Sequence, residues 1–362
     1  MFSNPGGKRP RVDHGGEFIA AVPALLGFHP ERSLVVAVFD KPRAGRAIAP
    51  IEVVVRFDLD LSRPGVPAQI GAALARLCPA GGTDVTALVV DDRIGEPPPD
   101  GTDAWRAFLH AVMDTPRRAG MRLVEAYAVR SIAAGERWWS WVDDRHGEVP
   151  DPATSIMAVT RVANGGPIHR TRDELAEIFA RDLNSAAQVA AVLPDEVSAD
   201  QDRRAAALAG RDLDAYHRDA LGRVLSVIDT VEADARPDAR DIAAIAAVLR
   251  DRVIRDLMFA LAITDHAPAA QRLWSAMTRS TTGRDRAAAA TLFAYTAYLR
   301  GDTVLAGIAV HAALDADDQH PVAVLLDTII GLGIRPARLR RLADDAIRAA
   351  TNLGVDLGPT RA

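Results

Sequence analysis

Residues 33–40, SLVVAVFD, are apolar from Leu34 to Phe39, without the polar alternation of a half-solvated strand. PIEVVVRFDL (50–59) and DVTALVVDD (84–92) are almost as apolar and as rich in β-branched residues. Runs of this kind belong to strands covered on both faces. This part of the chain must therefore build a sheet with helices above and below it. The linker KPRAGRAIA is short and full of turn formers, so the first two strands form an antiparallel hairpin.

The rest of residues 16–142 alternates. An apolar helix ends at Gly27. VPAQIGAALARLC (66–78) is a helix closed by Pro79 and Gly81, and TDAWRAFLHAVMDTPRRAG is another. MRLVEAYAVR (121–130) is a strand, and ERWWSWVD (136–143) returns beside it. Right-handed crossovers then join a mixed α/β sheet with flanking helices. From about residue 151 the strand signals vanish. PATSIMAVTRVANGG and TRDELAEIFARDL read as helices, the second opened by a Thr171/Glu174 capping box. Ala/Leu-rich helical patterns follow, broken at ARPDARD, TDHAP, STTGRD, RGD, DDQHP and GIRP. The expected layout is a disordered tail (1–15), an α/β domain (16–150), a helical connector (151–195) and an all-α domain (196–362).

The 362 residues exceed one ordinary core, which agrees with two domains. The net charge of -5, with no block of like charge, argues against a general nucleic-acid binder. The N-terminal segment has no signal-peptide core and no run reaches transmembrane length, so a cytoplasmic protein without membrane contact is expected. Cys78, the single cysteine, ends an apolar helical pattern and reads as a buried, inert thiol. It excludes an internal disulfide and a cysteine-based metal site.

GFHPERS (27–33) joins the first helix to the first strand. A phosphate cradle needs the reverse order, strand then glycine loop then helix N-terminus. Gly27 is read as a helix C-cap and Pro30 as a stop. The hairpin gives the stretch a second meaning. If 34–39 pairs antiparallel with 50–57, Ser33 lies beside Arg56 and Phe57. His29, Ser33, Arg56, Asp58, Asp91 or Asp92, Arg130 and Arg137 then gather at the carboxyl edge of the parallel strands, where open α/β sheets bind ligands. A structural salt-bridge cluster is one reading of that rim. A clamp for a small anionic ligand is the other. No nucleophile–base–orienter set can be read, no cofactor is identified, and no metal site is assigned. In RWWSW, Trp138 and Trp139 point to opposite faces. One tryptophan packs in the core, and the other, or Trp141, is expected to meet the helical domain or a partner.

AAAATLFAYTAYLRGDTVLAGIAVHAALDADDQHP resembles a tetratricopeptide unit in part. Gly301 and Asp302 make the turn, Ala306 and Ala313 fill the small positions, and Val310 lies between them. The second domain is therefore expected to be helical-repeat-like. More broadly, AAVPALLGFHPERSLVV, RFDLDL, RWWSW, the Arg-Asp-Glu-Leu start at 172–175 and AYLRGDTVLAGIAVHAAL resemble an actinobacterial family, domain of unknown function 4192, over residues 16–335. A cysteine-containing segment often follows the tryptophan motif in that family; here VDDRHGEVPDP holds none. The resemblance implies the two-part layout and carries no catalytic residue. Two functions follow: a non-catalytic protein-binding scaffold or regulator acting through the helical domain, or an enzyme or sensor taking a small anion at the sheet rim.

Overall fold

The computed structural model describes residues 15–39, 51–60, 65–77, 83–95, 102–163, 166–332, 334 and 336–360. Residues 1–14 of the expected tail, Cys78 and the hairpin linker lie outside the described residues, while Gly15, the last residue assigned to the tail, opens the first helix. The chain divides into two compact units, Met1–Arg172 and Asp173–Ala362.

The first unit holds β1 (Ser33–Phe39), β2 (Ile51–Asp58), β3 (Thr83–Val90), β4 (Met121–Val129), β5 (Arg137–Ser140) and β6 (His146–Glu148). Its helices are α1 (Gly15–Leu26), α2 (Val66–Arg76), α3 (Thr102–Arg118) and α4 (Ile156–Ala163). The strands form one mixed sheet in the order β2-β1-β3-β4-β5-β6. β1 is antiparallel to both β2 and β3, and β3 is parallel to β4. The hairpin forms as expected. The connection through α2 passes over β1, so β3 runs the same way as β2 without touching it.

Alternation along each strand divides two cores. Leu34, Val36, Val38, Val85, Ala87, Val89, Ala126 and Ala128 pack with Ile70, Leu74, Val112 and Met113 beneath α2 and α3. Val35 and Ala37 point the other way and are also fully buried. Tyr127 on that second face meets Phe18 of α1. Burial on both sides explains why β1 reads as a continuous apolar run. α2 and α3 approach closely because position 71 has no side chain: a Cβ there would stand 2.5 Å from the carbonyl oxygen of Val112.

β5 stops at Ser140, short of the expected 143. The Ser140 hydroxyl accepts from the backbone N–H of Val142 and of Asp143, at 3.1 and 3.2 Å, and turns the chain. The turn returns as β6, three residues with no apolar pattern, which hydropathy does not reveal.

The second unit contains α5 (Arg172–Ala176), α6 (Leu183–Gly210), α7 (Leu213–Glu232), α8 (Ala239–Val248) and α9 (Arg252–Leu257). It continues with α10 (Ala267–Ser280), α11 (Gly283–Leu299), α12 (Thr303–Ala316), α13 (Pro321–Gly331) and α14 (Pro336–Asn352). The expected helix over TRDELAEIFARDL is shorter. After α5 a 3₁₀ turn (Glu177–Phe179) buries Phe179 edge-on against Phe293, 4.8 Å between centroids. Asp182 then caps α6, accepting from Asn184 and Ser185 N–H. The position 195/196 falls inside α6, which passes through Pro194. The six expected breaks fall between helices, and Asp238 and Asp302 cap the helices that follow two of them. Two further breaks stand outside that expectation, one at Asp212, which caps α7, and one at Asp251, which caps α9. α11 is buried on all sides from Ala287 to Tyr298, the mark of a central helix. Among the described residues no helix is long and apolar enough to cross a membrane.

Candidate functional site

The rim begins at the β1–β2 ladder. Ser33 faces Asp58, and Val35 faces Arg56. The pleat therefore places Ser33 and Arg56 on one face, beside the end of α1. Arg56 Nε donates to Ser33 Oγ at 2.8 Å, and Arg56 Nη2 donates to Asp58 Oδ1 at 2.5 Å. The guanidinium lies over the Phe28 ring, 5.7 Å from its centroid. Ser33 is fully buried, and its hydroxyl donates to the Glu31 carbonyl at 2.6 Å.

The two aspartates after β3 are spent separately. Asp91 is fully buried and accepts from Arg93 at its backbone N–H, Nε and Nη2, at 2.9, 2.8 and 2.6 Å. Arg93 also donates to the Leu59 carbonyl, tying the ends of β2 and β3. Asp92 takes a two-pronged bond from Arg32, at 2.9 and 3.1 Å, in the open. That guanidinium holds the Asp92 carboxyl below the usual carboxylate range. With each carboxylate occupied by an arginine, no cation seat is left there.

His29 is half-buried and bonded through its backbone: its N–H donates to the His169 carbonyl at 3.1 Å, and His169 N–H returns to Gly27 at 2.8 Å. Arg130 and Arg137 are exposed and unpaired among the described residues. Ser33, Arg56 and Asp58 are thus brought into contact, Asp91 and Asp92 each join a different arginine, and Arg130 and Arg137 bond to none of them. No nucleophile and base meet among these residues.

Two arginines were not legible. Arg93 follows Asp92 just past the end of β3 and was not among the expected rim residues. Arg161 donates to the carbonyls of Ala24 and Pro167, closing α1 from a distant segment. Gly27, at φ +83, leaves the space: a Cβ there would lie 2.6 Å from Arg161 Nη2.

A family model described as a domain of unknown function, DUF4192, matches residues 16–337. The chain belongs to the DUF4192 family. The match covers the sheet unit and most of the helical unit. No curated protein and no solved structure matches the chain.

In this DUF4192 chain all three tryptophans of RWWSW are buried: Trp138 is 6 %, Trp139 5 % and Trp141 8 % exposed. Trp138 meets Tyr127 edge-on at 5.4 Å, under Gly15 and Gly16. Trp139 and Trp141 join the α2–α3 core, where Trp141 stacks on Trp105. The opposite pointing of Trp138 and Trp139 is as expected. The tryptophan expected to stand free for the helical domain or a partner is instead buried within the sheet unit.

Among the described residues Asp229, Glu232 and His266 are the group spaced for a metal ion, their ligand atoms within 4.8 Å of one another. Both carboxylates are exposed, and His266 Nδ1 lies 2.7 Å from Glu232 Oε1. Thirty-odd residues separate the histidine from the helix that bears the acids, so no local motif announces it. The helical unit also offers a surface. On α13 only Ala323 and Leu326 are buried, while Val324, Leu325 and, just beyond the helix, Leu332 are 45, 50 and 40 % exposed.

Proposed function

We propose that this DUF4192 chain is a non-catalytic, cytoplasmic binding protein that takes a protein partner on its helical unit. The supporting observation is the outward face of α13. Leu325, the half-buried Ile329 and, at the C-cap, Leu332 recur at helical spacing along a helix with two buried residues. An apolar stripe left in water is the usual mark of an interaction surface. An amphipathic helix is the partner element that fits such a stripe.

The α11–α12 pair supports a tetratricopeptide-like reading of this unit. Gly301 turns the chain at φ +81, and Asp302 caps α12. Ala306, Val310 and Ala313 are fully buried, as close helix contact requires. The paired charges of the rim favour binding over catalysis.

The test compares affinity capture by the wild-type chain and by the Leu325→Asp/Leu332→Asp variant. A partner that copurifies stoichiometrically with the first and is lost from the second, at equal melting temperature, supports the reading. Capture unchanged by the double variant sinks it. A second reading, a small anion held by the sheet unit, is favoured by the unpaired Arg137 at the carboxyl edge.

A further inference from the structure

The last turn of α7 carries Asp229 and Glu232 and no basic residue. A helix C-terminus bears the negative end of the peptide dipoles, so it favours cations there and disfavours carboxylates. Neither acid meets an arginine among the described residues. Arg272 is engaged beside them: it donates to the Val231 carbonyl at 2.7 Å and stands 4.0 Å from Asp234. The spacing of three residues sets both acids on one face of the helix.

His266 joins them from the residue before α10. Its side chain makes no cap to that helix. Nδ1 lies 2.7 Å from Glu232 Oε1 instead. An ionised carboxylate only accepts, so Nδ1 carries the shared proton. Backbone walls the other edge of the ring: a Cβ at position 358 would stand 3.0 Å from Nε2 and 3.1 Å from Cδ2. Gly358 is held there because Asp265 N–H donates to the Pro359 carbonyl at 3.1 Å and Thr264 bridges to Thr360. The imidazole is thus fixed with Nδ1 towards α7.

One ligand atom from each of the three residues lies within 4.8 Å of the others. Atoms bound at about 2.1 Å to one tetrahedral ion stand about 3.5 Å apart, so small rotations of the two exposed carboxylates complete the triad. One imidazole nitrogen with two carboxylate oxygens suits a transition ion such as zinc, whereas Ca²⁺ and Mg²⁺ take oxygen ligands. The two carboxylates balance the charge of a divalent ion, and water can fill its remaining positions.

We propose that Asp229, Glu232 and His266 form a binding site for a divalent transition-metal ion of the zinc class, which displaces the proton between Nδ1 and Oε1 and ties the end of α7 to the start of α10. The proposal is independent of the α13 surface.

The experiment titrates ZnCl₂ into the untagged full chain by calorimetry. One equivalent is expected to bind with a Kd at or below about 10 µM, and saturating Zn²⁺ should raise the melting temperature. His266→Ala and Asp229→Asn should each weaken binding at least about tenfold. Asp229 is exposed, so its variant keeps the test sound if His266→Ala does not fold. The chain has nine histidines, and zinc binding unchanged by Asp229→Asn lies elsewhere and overturns the proposal. So does the absence of binding up to about 100 µM Zn²⁺, or Mg²⁺ binding as tightly as Zn²⁺.

Discussion

Arg56 Nε donates to the buried hydroxyl of Ser33 across the β1–β2 ladder, 2.8 Å apart and on the face that meets α1. One bond thus joins the GFHPERS corner to the second strand and holds a guanidinium that is only 12 % exposed. Ser33→Ala removes its acceptor. The expected loss is about 1–2 kcal/mol in urea unfolding. A change under about 0.3 kcal/mol means that this bond does not lock the corner.

Gly71→Ala tests the α2–α3 contact. Its Cβ would meet the Val112 carbonyl at 2.5 Å, and a backbone atom cannot swing aside. The helices must separate, at about 1–3 kcal/mol. The added helix propensity of alanine works in the opposite direction by about 1 kcal/mol. A stabilised variant refutes the close approach.

Ion pairs in this chain differ in value with their burial. Asp285 receives both prongs of Arg250, at 3.0 and 2.7 Å, and their side chains are 7 and 26 % exposed. Asp285→Ala strands that arginine and should cost about 3 kcal/mol. Asp92→Ala breaks an equally well-formed pair in open solvent and should leave the melting temperature nearly unchanged. Thermal melts of the two variants side by side decide the point.

His320 makes stability depend on pH. Its Nδ1 accepts from Ala323 N–H at the start of α13, while Nε2 is buried without a partner. Burial first, then the nearby Arg255, pushes the imidazole below its ordinary value, against a smaller pull from Asp317. As pH falls through about 6.5 the unfolded chain takes a proton that the folded chain refuses. Stability rises with pH wherever the unfolded state binds more protons. The contribution is therefore complete above the unfolded value and is lost on acidification towards the depressed folded one. His320→Asn keeps a capping acceptor and should flatten the difference between melts at about pH 5.5 and 7.5. An unchanged slope refutes it.

The α13 stripe makes a stability prediction apart from any partner. Leu325→Asp and Leu332→Asp should each alter stability by less than about 0.5 kcal/mol, because both side chains already face water. A large loss in chemical denaturation shows that these residues support the fold.

Much of the architecture was legible along the chain. β1, β2 and β3 announced themselves because burial on both faces demands unbroken apolar runs. The breaks at Asp238 and Asp302 were readable because those residues are caps, and a cap acts within its own turn, whereas the break capped by Asp212 went unread. The meeting of Ser33 and Arg56 followed from chain direction, which a short turn-rich linker dictates. β6 stayed hidden because its three residues pair through backbone bonds that carry no hydropathy. Arg161 stayed hidden because the carbonyl of Ala24 reaches it only on folding, and Arg93 because the Leu59 carbonyl that it also binds lies beyond the end of β2.

By itself, then, the sequence determined strands, helices, caps and the sense of the hairpin, all properties set by neighbours a few residues away. Only the tertiary structure decided that Arg32 pairs with Asp92 at the rim, that all three tryptophans of RWWSW are buried, and that α13 leaves leucines in water. Those outcomes depend on groups far apart in the chain, whose pairing and solvation exist only once the packed surfaces have closed.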